Sequence, residues 1–341
     1  MKSSYILTSI FLLCSLIGQS QTKDVSSYDE KILNWQSKNI SRKMMGTNTY
    51  RAYEVLLKGK TSKKNIVVAV IDAGIDVHHE DLKENIWVNR NEIPGNGIDD
   101  DKNGYIDDIH GWNFLGNSKG ENIDKAPLEI TRLYRELNKK FQNKSETEIQ
   151  ESEKKDFAEY HKMKVEITKN QKEAEEQFIQ MEQIHIFISD LYDSLGKMEN
   201  ASVSSIDEVK KITTSSKPAK KLKRKLLFYA KLGLTKQGMK EASDHFEAEK
   251  SAYYNLEFTP RADIIGDNPD DITDYKYGNN DVTGPDAFHG TFCAGIIGAS
   301  QKNSLGIDGI ANNVSLMSLR AVPNGDEYDK DVALAIRYAV D

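Results

Sequence analysis

Two residues far apart in the chain have the types needed for hydrolytic chemistry. Asp72 ends the apolar run 65–71 (Asn-Ile-Val-Val-Ala-Val-Ile) and is followed by Ala73-Gly74. His289 stands at the start of Phe288-His-Gly-Thr-Phe-Cys-Ala-Gly295, a stretch with small residues at helical spacing. An imidazole titrates near neutral pH and serves as a general base. A carboxylate that accepts a hydrogen bond from its other ring nitrogen fixes the tautomer and stabilises the protonated form. Either residue alone reads as a turn or structural residue; it is the occurrence of both that points to more. Cys293 follows His289 by four residues, which places it one helical turn away on the same face.

A second constellation is acidic. In the segment 96–108 (Asn-Gly-Ile-Asp-Asp-Asp-Lys-Asn-Gly-Tyr-Ile-Asp-Asp), Asp99, Asp101, Asn103 and Asp107 fall at positions 1, 3, 5 and 9 of a calcium loop, with Gly104 at position 6. Hard oxygen donors at alternate positions wrap a cation, and the glycine permits the sharp turn. Position 12 is His110 rather than a bidentate glutamate, so this is not a complete EF-hand; Asp108 or Glu92 is available as a further oxygen. The competing reading is a solvated acidic turn.

The elements that must carry these residues are read from pattern. Residues 65–71, apolar on both faces, predict a buried parallel strand, and 315–322 (Ser-Leu-Met-Ser-Leu-Arg-Ala-Val) predict a second. Residues 292–299 predict a tightly packed helix, and Val332, Ala333, Ala335, Ile336 and Ala339 an amphipathic one. Alternation of strands and helices predicts an α/β fold with a parallel sheet flanked by helices. Residues 128–257 differ, holding 24 basic and 23 acidic residues with three glycines. Leu133, Leu137 and Phe141, and then Phe178, Met181, Ile184, Ile188, Leu191, Leu195 and Met198, step by three and four. This block predicts two or three long helices in a hairpin or small coiled coil, broken at 215–218 (Ser-Ser-Lys-Pro). Its basic run, 220–225, reads as a solvated helix face.

The segment Val70-Ile-Asp-Ala-Gly-Ile75 with His79-Glu-Asp-Leu82 resembles the aspartate motif of the subtilisin-like serine proteases, and His289-Gly-Thr-Phe-Cys-Ala-Gly-Ile-Ile-Gly-Ala299 resembles their histidine motif. Asp before His is also that family's chain order. Residues 303–307 and 309–311 continue the likeness. The resemblance implies a secreted serine endopeptidase acting on protein or peptide substrates, with Asp72 and His289 as two members of an Asp-His-Ser triad. It also implies a calcium site at Asp81 and Asn303 with backbone oxygens of Gln301, Leu305 and Ile307, against the simpler reading of Asp81 as a helix cap. The block from Asn89 and Glu92 to Phe114 resembles an insertion that holds calcium in some secreted members. The family's Gly-Thr-Ser-Met-Ala serine motif does not occur in these 341 residues, and Gly-Thr is followed by Asn48 or Phe292. The oxyanion asparagine is expected beyond the last helix. The chain is therefore expected to be an amino-terminal portion, inactive by itself, with a partial peptidase domain over 65–127 and 258–341 split by a helical insertion at 128–257. The alternative is a non-catalytic secreted calcium-binding or interaction module of protease descent.

Composition agrees with a globular protein. The net charge is −7, which argues against a dedicated nucleic-acid binder, and two cysteines exclude a disulfide-dense scaffold. Lys2, the apolar run 5–17 and Gly18-Gln-Ser20 read as a signal peptide over 1–20, with an N-terminal anchor as the alternative. The run is shorter than the ~20 residues of a membrane span, and no other stretch is apolar enough, so no stable span remains after cleavage. Cleavage after Ser20 removes Cys14 and leaves Cys293 alone. Residues 21–64 form a leader whose end reads as a short helix, too short for the folding prodomain many relatives carry.

Overall fold

The computed structural model describes residues 33–41 and 45–341; the signal-peptide segment and Cys14 lie outside the described residues. The chain divides into two compact units, one containing 130–256 and the other 23–129 with 257–341.

The helical unit is built from α1 (Glu129–Phe141), α2 (Lys154–Glu199), α3 (Ile206–Lys211), α4 (Lys217–Lys231) and α5 (Lys236–Ala248). α2 runs for 46 residues and ends in a left-handed Asn200. The break at 215–218 is the start of α4, where Ser216 accepts the Ala219 amide and Pro218 occupies the first turn. Both suit a helix N-terminus, because the first amides lack helical acceptors and proline has no amide to lose. The predicted stripe on α2 holds at Met181, Ile188 and Leu195, all buried, whereas Met198 is half exposed. On α1 the inward face is Thr131, Tyr134 and Phe141, and Leu133 of the predicted stripe points to solvent. Tyr134 stacks on Tyr160 with ring centres 5.7 Å apart, so the aromatic rather than the leucine sets the face. In the basic run, Lys223 donates to the carbonyls of Lys210 and Ile212, and Lys225 lies over the rings of Phe187 and Tyr229.

The other unit holds a parallel sheet of β1 (Ile66–Asp72), β2 (Gly111–Asn113) and β3 (Val314–Arg320) in the order β1-β3-β2. Alternate residues of β3 face opposite ways. Val314 and Leu316 join a core with Val70, Ile75, Leu82, Val282 and Ala294. Met317, Leu319 and Ala321 join a second core with Trp112, Phe114, Leu334 and Tyr338. The first core includes α6 (Phe288–Gly298) and the second includes α7 (Asp329–Val340), so helices cover both faces. β1 was expected to be buried throughout, but Ile66 and Val67 are exposed because β1 is an edge strand whose start lies outside the helical cover. The leader ends in a helical turn (Thr49–Arg51, continuing as Ala52–Leu56) whose Tyr50 and Tyr53 hydroxyls donate to Asp308 and to the Ile310 carbonyl.

Candidate active site

The three strands end together, with Asp72 and Asn113 both in register with Arg320. Carboxyl ends of parallel strands are where an open α/β sheet exposes polar groups to a crevice. The Asp72 carbonyl accepts the amides of Ala321 and Val322, fixing the strand end. Its side chain is held at both oxygens: Oδ1 accepts the Ala73 amide at 2.8 Å, and Oδ2 lies 2.8 Å from Nδ1 of His289. The 217 residues between the two are closed into a direct side-chain contact. Asp72 is 13% exposed and His289 72% exposed, so the acid is sheltered and the imidazole faces outward.

Glycines make this approach possible. A Cβ on Gly290 would lie 2.1 Å from the Gly74 carbonyl oxygen and 3.1 Å from Asp72 Cβ, so α6 reaches the strand end only because residue 290 has no side chain. Gly74 has a φ of +136° and presses against the Thr283 carbonyl, giving the turn after Asp72 its shape. Beneath it lies Arg320, 2% exposed, which donates to the carbonyls of Ala73 and Ile123 and to Asn113 Oδ1. Burial holds its guanidinium below the usual arginine range, with the Asp281 and Asp124 carboxylates opposing. It is a clamp on the turn that carries Asp72. Sequence pattern pointed to neither Gly290 nor Arg320 in these roles; the only signal was an arginine at the end of an apolar strand. Cys293 sits one turn along α6, with Sγ 3.8 Å from His289 Nδ1. Burial, and secondarily the Asp72 carboxylate, push its thiol up.

The acidic loop is rearranged relative to its spacing. Glu92, Asp99 and Asp101 bring carboxylate oxygens within 4.8 Å of one another. Asp107 does not join them: its two oxygens accept the amides of Gly95, Asn96 and Gly97 and staple that turn. Asn103 turns its amide to Asp101 and Asp108 and accepts the Tyr105 amide. Asp108 is fully buried and receives Tyr338, Asn89 and Asn103; burial raises its carboxyl above the usual range despite those donors. Glu92, itself buried, also accepts the amides of Asp100, Asp101 and Asp107. The all-oxygen donor set of Glu92, Asp99 and Asp101 fits a hard divalent cation.

At the other implied cation position, Asp81 is 4% exposed and Oδ1 accepts the Asn303 amide at 2.7 Å. Burial raises its carboxyl above the usual range, the Asn303 bond opposing it. Asp81 does not cap the short helix at Lys83–Asn85, which has no side-chain cap. Asn303 Oδ1 accepts the Leu305 amide, so coordination there needs the amide group turned over. The loop after α6 has left-handed Lys302, Ser304 and Gly306, and Gly306 passes close to Asp81 Oδ2.

Away from these sites, Arg261 bridges Asp331 and Asp267, with Lys330 on Asp267 and the Tyr277 hydroxyl on Asp331. This buried, charge-balanced network ties the start of α7 to the segment 261–277.

Comparison with known proteins places the geometry in a lineage. A model of the Subtilase family matches residues 63–341. Subtilisin-like protease 1 of Plasmodium berghei (strain Anka) is 40% identical over 103 residues, 30% of this chain and 17% of that protein. Subtilisin-like protease 1 of Plasmodium falciparum (isolate 3D7) is 56% identical over 52 residues, 15% of this chain and 8% of that protein. The Plasmodium vivax protein of the same name is 52% identical over 58 residues, 17% of this chain and 9% of its own length. The aligned stretches thus span less than a fifth of these relatives.

Proposed function

The chain belongs to the subtilase family, and from that premise we propose that it supplies the acid–base half of a secreted serine endopeptidase that hydrolyses peptide bonds. The observation that carries this reading is the 2.8 Å contact between Asp72 Oδ2 and His289 Nδ1 at the carboxyl end of a parallel sheet. With Nδ1 donating to the carboxylate, the lone pair of Nε2 is left outward and free to take a proton from a serine hydroxyl. The imidazolium that forms stands against a sheltered negative charge, which lowers the cost of forming it. Arg320 and Gly290 position this pair and do not touch substrate. The serine and the oxyanion donor stand outside these 341 residues in this proposal, so residues 1–341 by themselves are inactive.

Calcium is proposed as a structural ion at Glu92, Asp99 and Asp101, and at Asp81 with Asn303. It would neutralise clustered carboxylates and stiffen the loops beside β2 and after α6. No helix among the described residues is long and apolar enough to cross a membrane, and a secretory route is proposed from the N-terminal segment. The 128–257 insertion is proposed to sit between the aspartate and histidine motifs as an added domain. The second reading is a non-catalytic secreted calcium-binding or interaction module of protease descent.

Two experiments separate them. Reading the encoding DNA past codon 341 decides whether a serine motif follows, and a clean stop favours the module. The protein that contains that motif should label with a fluorophosphonate probe and cleave a casein substrate, while residues 1–341 should not label. Labelling of 1–341 overturns the claim that its nucleophile is missing.

A further inference from the structure

Asp72, His289 and Cys293 offer three different ligand atoms, a carboxylate oxygen, an imidazole nitrogen and a sulfur, all within 4.8 Å of one another. The pairwise distances are 2.8 Å from Asp72 Oδ2 to His289 Nδ1 and 3.8 Å from that nitrogen to Cys293 Sγ. Around a tetrahedral zinc ion with bonds of about 2.0 Å to nitrogen and 2.3 Å to sulfur, those two ligands stand roughly 3.5 Å apart. The sulfur–nitrogen pair is therefore near its bound spacing already, and Oδ2 must open by a few tenths of an ångström. The donors also differ in kind from the acidic loop. Oxygen-only ligands suit calcium, whereas thiolate with imidazole selects a softer ion such as zinc. His289 is 72% exposed, so an ion can enter and a water can complete the fourth position.

We propose that Asp72, His289 and Cys293 form a zinc site that captures the imidazole and silences it as a base. The bond changes balance simply. Zinc takes Nδ1, whose hydrogen leaves; the neutral ring takes one hydrogen on Nε2. The Cys293 thiol releases its proton to solvent, so one proton is liberated per ion bound. The ring is then held as the tautomer whose Nε2 is a donor, and the lone pair that accepts the serine proton is gone. Zinc binding needs only the three side chains; its inhibitory consequence rests on the protease reading above. Gly290 allows the site to exist, since it lets α6 carry His289 and Cys293 up to the strand end that carries Asp72.

The test titrates residues 1–341 with cobalt(II), a spectroscopic stand-in for zinc, while an indicator counts protons. The expected result is a thiolate-to-cobalt charge-transfer band that saturates at one ion per chain, vanishes on adding zinc and survives excess calcium. Cys293→Ser should abolish the band and weaken zinc binding by more than the roughly 10- to 100-fold that loss of a mere supporting partner costs. His289→Ala, at an exposed position, should weaken it as much and guards against a folding defect in the cysteine variant. Asp101→Asn should leave the band intact. No thiolate band in folded wild-type protein, or wild-type zinc affinity in either ligand variant, overturns the proposal. A band in residues 1–341 alongside an inert serine-containing protein leaves the zinc site standing and removes the protease reading. An active peptidase that zinc does not inhibit overturns the silencing of the base.

Discussion

Asp72 has two carboxylate oxygens, and each meets a donor of different consequence. The Ala73 amide takes Oδ1 and locks the rotamer, leaving Oδ2 for the imidazole. Asp72→Asn preserves size but offers His289 an NH2 group, which turns Nδ1 into an acceptor and moves its hydrogen to Nε2. In the serine-containing protein the expected loss of peptidase activity is about 10⁴-fold, the loss seen when the acid of such a triad becomes an amide. Nitrogen-15 NMR of His289 checks the cause in residues 1–341: an unchanged tautomer in Asp72→Asn contradicts it. Asp107 and Glu92 each accept three backbone amides, Asp107 from 95–97 and Glu92 from Asp100, Asp101 and Asp107, so what separates them is place: the carboxylate folded in beside Asp99 and Asp101 is that of Glu92.

At the scale of elements, α6 touches the end of β1 through a glycine. Gly290→Ala places a methyl group 2.1 Å from the Gly74 carbonyl, so helix or turn must move. Overpacking of this kind costs roughly 1–3 kcal/mol. Urea unfolding should show a lower midpoint, and the low-field proton resonance of the Asp72–His289 hydrogen bond should disappear. A second element-scale prediction concerns α3. Glu208 accepts the amides of Ser204 and Ser205 and the Ser204 hydroxyl, and these bonds hold its carboxyl down at about 2, from an ordinary 4.5. A depressed carboxyl stabilises the folded form above its unfolded value and loses that contribution as pH falls through the folded one. Amide protection in α3, measured relative to the unstructured rate at each pH, should therefore fall between about pH 4.5 and 2. Glu208→Gln should exchange faster at neutral pH and show a weaker acid dependence.

For the whole molecule, the apolar clusters divide between the two units without sharing a residue. Those of the helical unit draw on 130–256, including Tyr160, Ile188, Leu195, Leu226 and Phe246. Residues 130–256 expressed alone should therefore fold, giving a helical circular dichroism spectrum and a cooperative melt; a non-cooperative melt counts against a self-contained insertion. Calcium should act on the other unit. Calcium at 100 times its dissociation constant adds about 2.7 kcal/mol to the stability of whatever binds it only when folded. Chelation should lower the melting temperature of residues 1–341, and Glu92→Gln should blunt the effect. Unchanged melting on chelation removes both proposed calcium sites.

The sequence by itself determined a strand ending at Asp72, a second within 315–322 that the structure ends two residues earlier at Arg320, the helix that opens at His289, and the helical character of 128–257, because these depend on local apolar period and on motifs a few residues long. It also named Asp72 and His289, through types and neighbours that belong to a known pattern. The tertiary structure decided what is close to what. Gly290 matters because of a carbonyl 216 positions earlier, Arg320 because three strand ends meet over it, and Glu92 because chain folding brings its carboxylate beside Asp99 and Asp101. Such facts depend on steric contact and competition for hydrogen bonds between distant segments, which spacing along the chain does not encode.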